Sequence, residues 1–143
     1  MLIESDIIIA LIKRRDWLKP VAENILMLIK KGDLRPIEIS TEILHELYYV
    51  ASEFADLDIV LENFVKIAGL ENIKFLRPKP ETYITAVFIM KNYNITSIFD
   101  AIYAAHILNK DSSDNIIIST DHIYDKIPGI KRVDPRKLNS LIE

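Results

Sequence analysis

Apolar residues recur along this chain in short extended runs that alternate with helical stripes. Leu2 to Glu4 reads as a first strand and Asp6 to Lys13 as a short helix. Lys13-Arg14-Arg15 breaks the pattern. Asp16 suits a helix cap, with Trp17, Val21, Ile25, Leu28 and Ile29 at helical spacing behind it. Pro20 fits the first turn of that helix, and Lys30-Lys31-Gly32 its end. Arg35 to Ile39 alternates as a strand. Ser40 or Thr41 then caps a helix to about Phe54, with Ile43, Leu47, Val50, Ala51 and Phe54 as its stripe.

The periodicity predicts another helix from Asp56 or Asp58 to near Gly69, with Ile59, Val60, Phe64 and Ile67 inward. Ile73 to Leu76 is extended. Pro80 opens a helix to about Asn92, carrying Ile84, Val87, Phe88 and Lys91, and Ser97 to Lys110 is helical with Ile98, Ala101, Ile102, Ala105 and Leu108 on one face. Val87-Phe88-Ile89-Met90 makes the Pro80 helix apolar all round, which suits either two-sided core packing or a dimer face. Ile116-Ile117-Ile118, within Asn115 to Ser119, has the continuous apolar character of a buried parallel strand. Ile130 to Val133 is a last strand after the Pro128-Gly129 turn, and Asp134-Pro135 begins a short terminal helix.

Strands alternating with helices predict an α/β fold, a three-layer α/β/α sandwich around a central, mostly parallel sheet with right-handed crossovers. The 143 residues suit one domain spanning 1–143. No apolar run approaches the roughly 18 residues of a membrane span, and no basic segment followed by a cleavable apolar one opens the chain. Neither a membrane partner nor a signal peptide is therefore expected. The absence of cysteine excludes disulfides, thiolate catalysis and cysteine-ligated zinc, and fits a cytoplasmic protein. With a net charge of −3 the whole-chain field does not draw in nucleic acid, so phosphate binding needs local basic patches. Lys13, Arg14 and Arg15, one helix after the first acids, are the candidate RNA contact; such clusters are otherwise solvated surface.

The acids change the picture. In an open parallel sheet, function collects at the carboxyl ends of the strands. Glu4 and Asp6 follow the first strand, Glu46 lies on the apolar stripe of the helix after the second, Asp100 is in the first turn of its helix, and Asp121 comes just after Ile116–Ile118. Each has a plainer reading: Asp6 as a helix cap, Asp100 as part of a Ser97-x-x-Asp100 capping box, Asp121 as a turn residue. Glu46 is the hardest to dismiss, since a charge on an apolar stripe is out of place; Glu42 is a plainer first-turn residue. Two carboxylates ~5 Å apart repel by roughly 3 kcal/mol at an effective dielectric of ~20. Protonation or a divalent cation relieves this, and an all-oxygen ligand set favours Mg²⁺ or Mn²⁺ over zinc. Such a site suits phosphodiester hydrolysis. His45, His106 and His122 are scattered and form no zinc set.

In order and spacing, these residues resemble a PIN domain, the nuclease fold of VapC-type toxins. The resemblance rests on the acids after the first strand, Ser40-Thr41-Glu42-Ile43-Leu44-His45-Glu46-Leu47, Asp100-Ala101-Ile102-Tyr103-Ala104-Ala105-His106, and Ile118-Ser119-Thr120-Asp121 with Tyr124 behind it. It covers nearly the whole chain. It implies a Mg²⁺- or Mn²⁺-dependent ribonuclease acting on RNA, a homodimer, and a small antitoxin as partner. By position it implies Glu46, Asp100 and Asp121 as site acids, with Thr120 as the neighbouring hydroxyl. The opening departs from the family pattern of aspartate, small hydroxyl residue, then asparagine, serine or aspartate: Glu4-Ser5-Asp6 puts glutamate at the metal position. The expectation is that Asp6 lines the site and Glu4 reaches toward it, with Ser5 supporting.

Two other functions fit less of the sequence. One is a PIN-fold protein that binds RNA or a protein partner with weak or no cleavage, motivated by Glu4. The other is a phosphatase or phospho-receiver of another α/β family, disfavoured because no lysine directly follows Ile118 or Asp121.

Overall fold

A computed structural model describes residues 1–34 and 36–141, with the side chains of 139–141 excepted. The strands are β1 (Leu2–Ile3), β2 (Ile37–Ser40), β3 (Ile73–Leu76), β4 (Ile116–Ile118) and β5 (Lys131–Val133). The α-helices are α1 (Ser5–Ile12), α2 (Lys19–Lys31), α3 (Glu42–Ala51), α4 (Leu57–Ala68), α5 (Pro80–Tyr93) and α6 (Ile98–Leu108), with 3₁₀ helices at His122–Lys126 and Pro135–Leu141. The strands lie in the order β3-β2-β1-β4-β5, and every pairing is parallel. Of the strand expected over Arg35 to Ile39, Arg35 lies outside the described residues.

Period-two alternation sorts the strand side chains into two cores. Ile3, Ile37, Ile39 and Ile118 face one side, where Ile7, Ile25, Ile43, Leu47 and Ile67 of α1–α4 cover them. Leu2, Leu76 and Ile117 face the other, against Ala86 and Ile89 of α5 and Ala101 to Ile107 of α6. These are the three layers expected. Local chemistry sets the ends of α2. Asp16 Oδ1 accepts the Leu18 N–H at 2.9 Å, Pro20 occupies the first turn, and Gly32 stops the helix at φ 78°, where its missing Cβ removes the left-handed penalty.

The structure corrects four expectations. Trp17 belongs to no apolar stripe: it precedes α2 and is 65 % exposed. Ile59 of α4 points to solvent, and so does Phe54, because α3 ends at Ala51. In α5 the buried stripe is Thr82, Ala86 and Ile89, which leaves Ile84, Val87 and Phe88 outside. Small residues let α5 approach α6 closely, so the narrow side packs and the bulky side does not.

Polar groups between β2 and α6 are tied off. Glu38 is wholly buried; it accepts the Ser112 hydroxyl and the Ser113 N–H, with Lys74 Nζ 3.6 Å away. His106 bridges Ser40 Oγ (3.0 Å, Nε2) and Asp111 Oδ2 (3.3 Å, Nδ1). This is a serine–histidine–aspartate series without access: Ser40 and His106 have no exposed surface, and Ser40 Oγ already accepts the Glu42 N–H. Burial pushes the His106 imidazole below its ordinary range, so it stays neutral and serves as a strut.

Candidate metal centre

The direction of chain progression across the sheet reverses between β1 and β4. In open α/β sheets the crevice at such a switch point, at the carboxyl ends of the strands, is where ligands bind. Register fixes what meets there: Ile3 pairs with Ile118, so Glu4 and Ser119 leave the sheet side by side. The Glu4 N–H donates to Ile118 O at 3.1 Å.

Glu4 caps α1. Its Oε1 accepts the Ser5 hydroxyl at 2.7 Å and the Asp6 N–H at 3.4 Å, and its Oε2 accepts the Ser119 hydroxyl at 2.9 Å. The side chain is buried all the same. Glu46, one turn into α3, is half-buried and accepts the Tyr103 hydroxyl on Oε2 at 2.5 Å. Asp100 sits in the first turn of α6, where its N–H donates to Ser97 Oγ at 3.2 Å. One carboxylate oxygen from each of Glu4, Glu46 and Asp100 lies within 4.8 Å of the other two.

Asp6 and Asp121 stand beside this group rather than within it. Asp6 Oδ2 accepts both the N–H (2.7 Å) and the hydroxyl (2.6 Å) of Thr120, which clamps the end of β4 to the start of α1. Its Oδ1 is buried with no hydrogen-bond partner. Asp121 is exposed and caps the following 3₁₀ helix, its Oδ1 accepting the Ile123 N–H at 2.9 Å. Ser5 and Thr120 thus serve Glu4 and Asp6 directly. Lys13 lies over the Phe54 ring at 5.5 Å, and Arg14 and Arg15 are exposed.

The electrostatics follow from crowding. Burial, then the charges of Asp6, Asp100 and Glu46, hold the Glu4 carboxyl well above the usual range. Burial also raises Glu46, against the lowering effect of the Tyr103 hydroxyl. Asp100 is pushed up to about 6 by burial and by the Glu46 and Asp121 charges. Three ionised carboxylates at such spacing repel by on the order of 10 kcal/mol in total. No cationic side chain pairs with Glu4, Glu46 or Asp100 among the described residues.

Sequence reasoning assigned no role to Tyr103, Ser119 or Tyr124. Tyr103 lies three residues after Asp100 on α6, the spacing that puts two side chains on one face. That signal was available; Ser119's bond to Glu4 spans 115 residues and was not. The Tyr124 hydroxyl is buried beside Glu4 and Asp100 and faces the Asp100 carboxyl, whose upward shift it opposes.

A model of the PIN-domain family matches residues 1–130. The chain belongs to the PIN-domain family. Its fold is similar to that of VapBC2 from Rickettsia felis bound to a promoter DNA fragment (15 % identity over 92 % of this chain and 96 % of that one, TM-score 0.67). It is also similar to a toxin–antitoxin complex from Klebsiella pneumoniae (18 %, 94 % and 96 %, 0.63) and to VapC20 of Mycobacterium tuberculosis, a toxin that cleaves the sarcin–ricin loop (12 %, 81 % and 85 %, 0.64). No curated protein matches this PIN domain in sequence. Among the described residues, no PIN-domain helix is long and apolar enough to cross a membrane.

Proposed function

We propose that this single-domain chain is a Mg²⁺- or Mn²⁺-dependent endoribonuclease, the toxin of a toxin–antitoxin pair acting in the cytoplasm. The observation that carries the reading is the convergence of Glu4, Glu46 and Asp100 without a cationic partner among the described residues, next to the unpartnered Asp6 Oδ1. The donor set fits a hard cation: it is all oxygen, crowded and uncompensated. Glu4, Glu46 and Asp100 would hold it, with Asp6 and Asp121 at the rim. A divalent cation supplies polarisation of a phosphoryl oxygen and acidification of water.

The protein's own groups prepare that chemistry. Tyr103 orients Glu46, and Ser5 and Ser119 fix Glu4. Thr120 clamps Asp6, so β4 and α1 present their acids at a constant separation. Asp100, its carboxyl pushed up to about 6, holds a proton in mildly acidic solution and gives it up near neutrality. The test is cleavage of a panel of structured RNAs with Mn²⁺. Asp100→Asn is expected to abolish cleavage with its circular dichroism unchanged. Unchanged cleavage by that variant in a nuclease-free preparation overturns the reading.

Two partners follow. The toxin–antitoxin likeness supports a small antitoxin. The apolar groove between α1, α2 and α4, of about 100 Å³ and lined by Ile8, Leu11, Ile12, Leu26 and Ile67, suits an apolar face of that antitoxin. The exposed Ile84, Val87 and Phe88 of α5 suit a second copy of the chain.

One observation favours a second reading, a PIN-fold protein that binds RNA or a partner without cutting. Glu4 already accepts three hydrogen bonds and is buried, so its oxygens are committed before any cation arrives. Absence of Mn²⁺ binding by calorimetry, with RNA affinity indifferent to chelator, would select it.

A further inference from the structure

We propose that Trp17, with Arg14, Arg15 and Arg136, forms a stacking site for an unpaired base of the RNA, outside the acidic centre; this rests on the ribonuclease reading above. Trp17 is the most exposed aromatic ring of the N-terminal half after Tyr49, at 65 %. It sits at the entry to α2, where Asp16 Oδ1 takes the Leu18 N–H. Arg136 lies over the ring, its guanidinium 5.5 Å from the centroid, and is itself steadied by Asp134. Arg14 and Arg15 are exposed and make no ion pair among the described residues. Together with Asp16, Lys19, Pro20 and Glu23 they bound an open concavity of about 530 Å³ beside the indole, in which the three cations Arg14, Arg15 and Lys19 outnumber the two acids.

The chemistry matches single-stranded nucleic acid. An indole face takes any base by stacking; Arg136, paired with Asp134, backs the ring, and the unpaired Arg14 and Arg15 guanidinium groups take the neighbouring phosphates. The chain carries net negative charge, so a basic ring-centred patch is a local departure from its field. Topology puts the patch at the right edge. Ile118 and Val133 are register partners, so Thr120–Asp121 and Asp134–Arg136 leave the sheet at the same level. Trp17, held under Arg136, therefore stands at the carboxyl edge that carries the acids, on the β5 flank.

Trp17 is the only tryptophan, so intrinsic fluorescence reads this site alone. The experiment adds oligoadenylate to the full chain in chelator, follows Trp17 emission, and measures affinity by anisotropy of a labelled oligonucleotide. Saturable quenching is expected, with none from inorganic polyphosphate at equal phosphate concentration. Trp17→Ala should weaken binding about tenfold, the scale of one lost base stack, and Trp17→Phe should recover most of it. Replacing Arg14 and Arg15 by alanine should flatten the salt dependence. Binding without a change in emission, equal quenching by polyphosphate, or no loss of affinity in Trp17→Ala overturns the site. Cleavage with Mn²⁺, assayed on the same preparation, separates the outcomes: cleavage with no quenching removes the stacking site alone, and quenching with no cleavage removes the ribonuclease reading alone.

Discussion

Tyr103 donates its hydroxyl to Glu46 Oε2 at 2.5 Å, joining α6 to α3 across the acidic centre. This bond holds one wall of the site at a set distance from Asp100, which lies a turn away from Tyr103 on the same helix. Tyr103→Phe removes the donor and leaves the ring. Mn²⁺ affinity should fall roughly tenfold, as for other groups that orient a metal ligand. Calorimetry measures this, and an unchanged affinity would show that Glu46 needs no such support.

Glu4 and Asp6 are separable. Glu4 belongs to the group of three and Asp6 to the Thr120 clamp. Asp6→Asn should therefore weaken Mn²⁺ binding by about tenfold to a hundredfold, the scale of an outer-shell change, and Glu4→Gln should weaken it further. In the metal-free chain, Glu4→Gln should raise the melting temperature, because it removes a buried charge from a repelling set. The reverse order of effects on Mn²⁺ binding would make Asp6 the ligand.

Asp100 makes metal-free stability depend on pH. Its folded carboxyl is raised from 3.8 to about 6, so the folded chain holds this proton more tightly than the unfolded chain. The associated stability is present below about pH 4 and is lost as pH rises through about 6. The shift corresponds to about 3 kcal/mol. Glu4 and Glu46 are raised too and act in the same direction. Urea midpoints measured in chelator should decline across this window, and Mn²⁺ should restore stability at its upper end. In Asp100→Asn the decline should be shallower. A flat profile in the unaltered chain would mean that the acids do not interact.

The outer face of α5 is open to test by mass. If Ile84, Val87 and Phe88 meet a second copy, the chain is a dimer in light scattering, and Phe88→Glu converts it to a monomer with its helical signal intact. A monomer in the unaltered chain at micromolar concentration excludes that partner.

Local pattern carried much of this molecule. The order of elements, the parallel sheet and the two-sided burial of Ile116–Ile118 follow from period and length, because a strand covered on both faces must be apolar throughout. The meeting of Glu4, Glu46 and Asp100 was readable from coincidence: Glu46 alone is out of place on its apolar stripe, and parallel strands bring the other acids, each of which could be a plain cap or turn residue, to the same carboxyl edge.

Only the tertiary structure divided Glu4 from Asp6. They lie one and three residues beyond Ile3, where β1 ends; Ser119 and Thr120, over a hundred residues away, decide which carboxylate turns to which partner. The same holds for Trp17 and α5. Periodicity states which side chains share a face, but the covering neighbour decides whether that face is buried. Trp17 met the Arg136 guanidinium where a hydrophobic stripe was expected, and α5 packed its alanine side inward. Sequence by itself determined which residues had unusual chemistry to offer; long-range contacts determined where each one points.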